Sequence, residues 1–173
     1  MNELFVGLLL VFLDLNLGFG DHVFDVLPDF LGYLMMIRGL EILGGESRFF
    51  EKAKPLAMGL MIYSAVLYFV DAMAVTVYDQ FVSFCLGLVA MAADILLSYW
   101  IVAAVRDMEK RQCRELEGEK LHSMWFYATV VQCITTFCSW IPLVGQIGAI
   151  GAMVMHVCFL AAFYHTKKRY ETK

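Results

Sequence analysis

The chain has 173 residues, 61% of them hydrophobic and only 17% charged, with a formal net charge of −4 and a mean hydropathy of +0.69. A soluble domain carries about 25% charged and 45 to 50% apolar residues, so this composition excludes an ordinary soluble globular protein. The apolar residues fall into long runs instead of short alternating segments, which predicts bundled transmembrane helices and not a membrane barrel.

Six runs follow in chain order: Leu4 to Phe19, Pro28 to Leu43, Leu56 to Val77, Phe81 to Val105, Met124 to Leu143 and Gly145 to Tyr164. A helix needs about 20 apolar residues to cross ~30 Å of hydrocarbon; the last four runs reach that length, while the first two have roughly 16 each. Short spans thin the bilayer locally or hide inside a bundle. The first run is read as a retained helix and not a secretory signal, because Met1-Asn2-Glu3 has no basic residue and no small-x-small site follows.

Between the first two runs lies GDHVFDVLPDFLGY, with Asp21, Asp25 and Asp29 spaced by four. Pro28 followed by Asp29 is a good helix start, so Asp29 reads as a first-turn carboxylate as well as a candidate ligand group. Asp21, His22 and Asp25 form a weak metal motif, since Pro28 interrupts any single helical face.

Twelve of the 13 Lys and Arg fall in three segments: Arg48, Lys52 and Lys54; Arg106, Lys110, Arg111, Arg114 and Lys120; and Lys167, Lys168, Arg169 and Lys173. The positive-inside rule makes these cytoplasmic, which places both termini inside and arranges the spans as three hairpins. Trp100 and Trp125 then lie near the cytoplasmic interface and Trp140 near the outer one. The outer mouth carries Asp21, Asp25, Asp29 and Asp79 without a basic residue, so it attracts cations or amines. The orientation rule also tolerates acids outside without any function. Residues 106 to 121 interleave opposite charges at helical spacings, such as Asp107 with Arg111, and read as a solvated extension of span 4, a headgroup-level segment or a docking surface for a protein partner.

Ionisable residues at membrane depth cost roughly 2.5 to 3.5 kcal/mol each and face a cavity or a partner. Here they are Asp14, Arg38, Glu41, Asp71, Asp94 and His156. Arg38 is the one basic residue within a run and is expected to meet Asp94 or Asp14, either as a structural ion pair or as part of a site. Three acids against one arginine leave room for a bound cation, proton or amine. His156, Gln132 and Asn16 read first as hydrogen-bonding groups between helices, and the small residues of GQIGAIGA as a close-packing surface. The five cysteines are scattered, without a CxxC or zinc spacing, and read as free small hydrophobes. AAVRDMEKR and AAFYHTKKR echo one another at the ends of spans 4 and 6, as a hairpin duplication or two convergent stop-transfer ends would.

The stretch LPDFLGYLMMIRGLEIL, with ES-RFFEKAKP behind it and DMEK after span 4, resembles a group of small multi-spanning bacterial membrane proteins with a PDF-[IL]-GY element after the first span. That resemblance implies a topology and no chemistry. The six spans, chain length and inside termini are also similar in architecture to the substrate-binding subunits of energy-coupling-factor vitamin transporters. The first span, LFVGLLLVFLDLNL, lacks the alanine-x-x-x-alanine element those subunits use to engage their partner.

The expected protein is therefore an all-α polytopic bundle of six transmembrane helices in a bacterial inner membrane. It binds or transports a small solute or cation through an outward-facing acidic pocket of Asp25, Asp29, Arg38, Asp71 and Asp94. The alternative is a noncatalytic membrane scaffold, sensor or immunity-type interaction protein, and the third reading is a membrane enzyme, although no Ser-His, Cys-His or paired-aspartate transferase pattern stands out. The lipid bilayer is the expected surrounding, no nucleic-acid partner is expected, and no cofactor is indicated.

Overall fold

A computed structural model describes residues 1–12, 16–19, 22–25, 29–72, 80–113, 115–138 and 141–172, with backbone alone in the segments 16–19 and 22–25 and at 71–72, 80–81 and 142. Six helices dominate: α1 (Asn2–Phe12), α2 (Asp29–Leu43), α3 (Arg48–Ala72), α4 (Gln80–Gln112), α5 (Gly118–Cys138) and α6 (Pro142–Glu171). Between α1 and α2 a short antiparallel ribbon pairs β1 (Asn16–Phe19) with β2 (His22–Asp25), with Asn16 opposite Asp25 and Phe19 opposite His22. Each helix packs on its neighbours in sequence, and α1 closes on α6, so the six form a ring.

The ribbon corrects the expectation that one helix runs from Leu4 to Phe19. Asn16, Gly18 and Gly20 are poor helix formers, and glycine supports the turn of a hairpin, so the helix ends at Phe12. With 11 residues, α1 is about 16 Å long, and α2 with 15 is about 22 Å, both short of the ~30 Å hydrocarbon layer. Three helices, in α3 (Arg48–Val70), α4 (Val82–Gln112) and α6 (Leu143–Glu171), are long and apolar enough to cross a membrane.

Two boundaries also move. Ser47 starts α3 well before the expected Leu56: its hydroxyl oxygen accepts the Phe49 N–H at 3.3 Å, and the helix then runs through Pro55. The last two helices meet at Pro142, whose fixed φ suits a first helical position, and not at Gly145.

The end of the ring that holds both termini is closed by a packed core. Leu4 and Leu8 of α1, Met36 and Leu40 of α2, Phe50 of α3, Ile101 and Met108 of α4, Leu121 of α5, and Phe159 and Phe163 of α6 are almost fully buried there. α1 and α2 approach closely because glycines face each other. A Cβ at Gly7 would lie 2.7 Å from the Gly32 carbonyl oxygen, and one at Gly39 would lie 2.7 Å from the Leu4 nitrogen.

At this same end, the charged segment after α4 is tied into the fold. The Glu109 carboxylate accepts the N–H groups of Leu116 (2.9 Å) and Gly118 (3.0 Å), capping the start of α5. Cys113 (φ 50°) and Glu117 (φ 58°) make the left-handed turns that bring the chain round. Asp107 accepts from Ser47 at 2.7 Å and pairs with Arg111, while Arg169 of α6 pairs with Glu117. The Asp107–Arg111 spacing read from the sequence is thus an ion pair.

Candidate functional site

Away from the closed end, the ring encloses a cavity of about 640 Å³. Helical periodicity selects what faces it. On α4, Gly87, Met91, Asp94 and Ser98 recur at spacings of three and four, and on α5 Trp125, Thr129, Gln132 and Thr135 do nearly the same. Asp29 and Tyr33 come from one face of α2, His156 from α6 and Phe12 from the end of α1. Among its described side chains α3 contributes no lining residue.

A chain of hydrogen bonds organises the lower wall. The Tyr33 hydroxyl donates to Asp94 Oδ1 at 2.6 Å, linking α2 to α4. One turn further along α4, the Ser98 hydroxyl donates to the Asp94 carbonyl oxygen at 2.8 Å. The Trp125 indole N–H donates to Ser98 Oγ at 2.9 Å, linking α4 to α5. The Trp125 ring is steadied between Tyr99 and His122, with centroids 5.4 and 5.7 Å away. On the opposite wall His156 stacks on Phe12 with centroids 4.7 Å apart and planes within 17°.

Two of the expected site residues, Asp29 and Asp94, therefore meet in one cavity. Arg38 does not join them: it is exposed, and among the described residues Asp94 is bonded to Tyr33 instead of an arginine. The reason is angular. Tyr33 follows Asp29 by four residues, nearly one turn, whereas Arg38 follows it by nine, about two and a half turns, which carries it to the opposite face of α2. Asp71 belongs to the last turn of α3, and its side chain lies outside the described atoms. Asp25 and His22 are placed by backbone only, at the two ends of β2, roughly 10 Å apart along an extended strand. Asp21, Asp14, Asp79, Arg114 and Trp140 lie outside the described residues. Among the described residues no three His, Cys, Asp or Glu side chains converge as a metal set.

Trp125 lines the cavity, where Ser98 offers its indole N–H an acceptor. Glu41 sits at the surface in an ion pair with Lys54 (2.7 Å). His156 and Gln132, read as groups between helices, both line the cavity. The small residues of α6 do pack closely at one point, where a Cβ on Gly148 would lie 2.8 Å from Thr135 Oγ1. Tyr33, Ser98 and Thr129 were missed. Their signal is legible in the sequence as polar groups recurring every three or four residues on otherwise apolar helices, in register with Asp29, Asp94 and Gln132.

The ring's outer surface is apolar. Ile62, Phe69, Val89, Ile134, Phe137, Ile147 and Ile150 are each more than half exposed. An apolar exterior with polar groups turned into an internal cavity is the arrangement that lipid stabilises and water does not. No family model, curated protein or solved structure matches this chain.

Proposed function

We propose that the chain is an integral protein of a bacterial inner membrane, with six membrane-embedded helices and both termini cytoplasmic, that binds a small cationic or amine solute in its central cavity. One observation carries the reading: among the described residues the cavity wall holds two carboxylates, Asp29 and Asp94, and no lysine or arginine. In a low-dielectric surrounding such a wall favours a cation strongly, and Tyr33 holds Asp94 in place with a charge-assisted hydrogen bond. Gln132 and Thr129 supply further polar contacts, as the few orienting groups of a ligand pocket do.

The direction of access follows from the packing. No large apolar side chain is fully buried on the hairpin side of Tyr33 among the described residues, while the opposite end is plugged by Leu8, Leu40, Ile101 and Phe159. With the basic segments 106–111 and 167–169 on the plugged end, the positive-inside rule turns the opposite end outward. Release to the cytoplasm, and hence transport, requires that plug to separate.

Thermal unfolding of the protein in mild detergent, with a panel of inorganic cations and amines, tests the proposal. A ligand at 100 times its Kd adds about 2.7 kcal/mol to stability. The expected result is a raised Tm with at least one cation or amine and no rise for the same compound with Asp94→Asn. A flat response across the panel from folded protein overturns the reading.

A further inference from the structure

The cavity is far larger than a bare ion requires and falls within the range of about 300 to 1,000 Å³ that small organic ligands occupy. Its charge and its aromatic surface are close together. Asp94 and Ser98 are one helical turn apart, about 6 Å along α4, and Ser98 holds the Trp125 indole by its N–H. With that N–H satisfied, Trp125 has its ring surface and not a hydrogen-bond donor to offer a ligand. The contacts from Tyr99 and His122 fix the ring before anything binds.

We propose that the cavity takes an organic cation carrying a flat aromatic ring, its positive charge set against Asp94 and its ring against Trp125. This deepens the proposed function and rests on it. Ser98 links the two, bonded to the Asp94 carbonyl oxygen and to the Trp125 indole N–H, so a molecule whose charge lies on its ring or within one or two bonds of it reaches both residues. Trp125 attracts a cation through its ring quadrupole, and Gln132 and Thr129 line the same space for polar substituents. Among the described lining residues His156 is the one side chain that can carry a positive charge, and it already stacks on Phe12.

The test compares benzyltrimethylammonium with tetramethylammonium, spermidine and benzoate on the full-length protein in detergent. Affinity is read by isothermal titration and by fluorescence of the Trp100→Phe, Trp140→Phe double variant, whose sole tryptophan is Trp125. The aromatic cation is expected to bind about tenfold tighter than either aliphatic cation, to change Trp125 fluorescence saturably, and to bind about tenfold more weakly to Asp94→Asn. Aliphatic cations binding as tightly as the aromatic one overturn this inference and leave the cationic-solute reading standing. Benzoate binding as well as the aromatic cation overturns both. No binding by any of the four overturns this inference, and the wider panel of cations and amines then decides the parent reading. The ranking among the four compounds needs only protein with native cavity residues, so it stands even if Asp94→Asn fails to fold.

Discussion

The contrast between Tyr33 and Arg38, five positions apart on one helix, shows how angular position decides a residue's role. Tyr33 is buried and bonded to Asp94, so Tyr33→Phe leaves a carboxylate oxygen in the interior without its donor and is expected to lower stability by about 1 to 3 kcal/mol, read as a lower Tm. Arg38→Gln, at an exposed position, is expected to change stability by no more than about 0.5 kcal/mol in the same measurement. Asp107, beyond the apolar part of α4, is a second residue whose surroundings set its chemistry. The Ser47 hydroxyl, followed by Arg111, holds its carboxyl below the usual carboxylate range. A depressed folded value means the contribution to stability is present above the unfolded pKa, near 3.9, and is lost as pH falls through the folded value. The Tm difference between the native protein and Asp107→Asn is therefore expected to be largest near neutrality and to close on acidification.

Glycine at the α1–α2 contact behaves differently from glycine elsewhere on the helices. Gly7 and Gly39 each face the partner backbone with no room for a Cβ, so Gly39→Leu is expected to push the two helices apart and cost at least about 1 to 3 kcal/mol. Gly59 of α3 has nothing within 4 Å of its Cβ position, so Gly59→Ala is expected to gain up to about 1 kcal/mol from helix propensity alone. Thermal unfolding of the two variants side by side checks the pair, with opposite signs expected. Removal of the Glu109 carboxylate by Glu109→Ala uncaps α5 and is expected to cost about 1 to 2 kcal/mol.

For the molecule as a whole, the ring of helices combines a closed end with a cavity lined by both apolar and polar groups and wraps both in an apolar exterior. The two short helices, α1 and α2, are neighbours, so one side of the ring is thinner than the rest, and the β1–β2 ribbon connects them. Cys113 is exposed in the turn between α4 and α5, at the end that holds the termini. Under the proposed orientation, a variant with Cys85, Cys133, Cys138 and Cys158 each replaced by serine is expected to react with a membrane-impermeant maleimide at Cys113 in disrupted membranes and not in intact cells. Labelling of that variant in intact cells reverses the orientation.

How much could be read in advance follows from which forces act locally. Composition and the lengths of the apolar runs already indicate long helices suited to a bilayer, because burial of backbone hydrogen bonds in lipid leaves few alternatives. That Asp94 and His156 face a cavity or a partner was legible too, since a polar group on an apolar helix needs one, and both line the cavity. The end of α1 at Phe12 was less so: hydropathy reads LDLNLGF as a continuation of the run, while the pairing of β1 with β2 is a contact between segments. That α2 presents Tyr33 and not Arg38 to α4 became definite only when glycine-mediated packing against α1 set the rotation of α2 in the ring. Sequence by itself determined that the chain is built of apolar helices carrying a few polar groups, because both are written in the chain's own composition and periodicity. Only the tertiary structure decided which of those groups meet, because the rotation of each helix about its axis is settled by its neighbours.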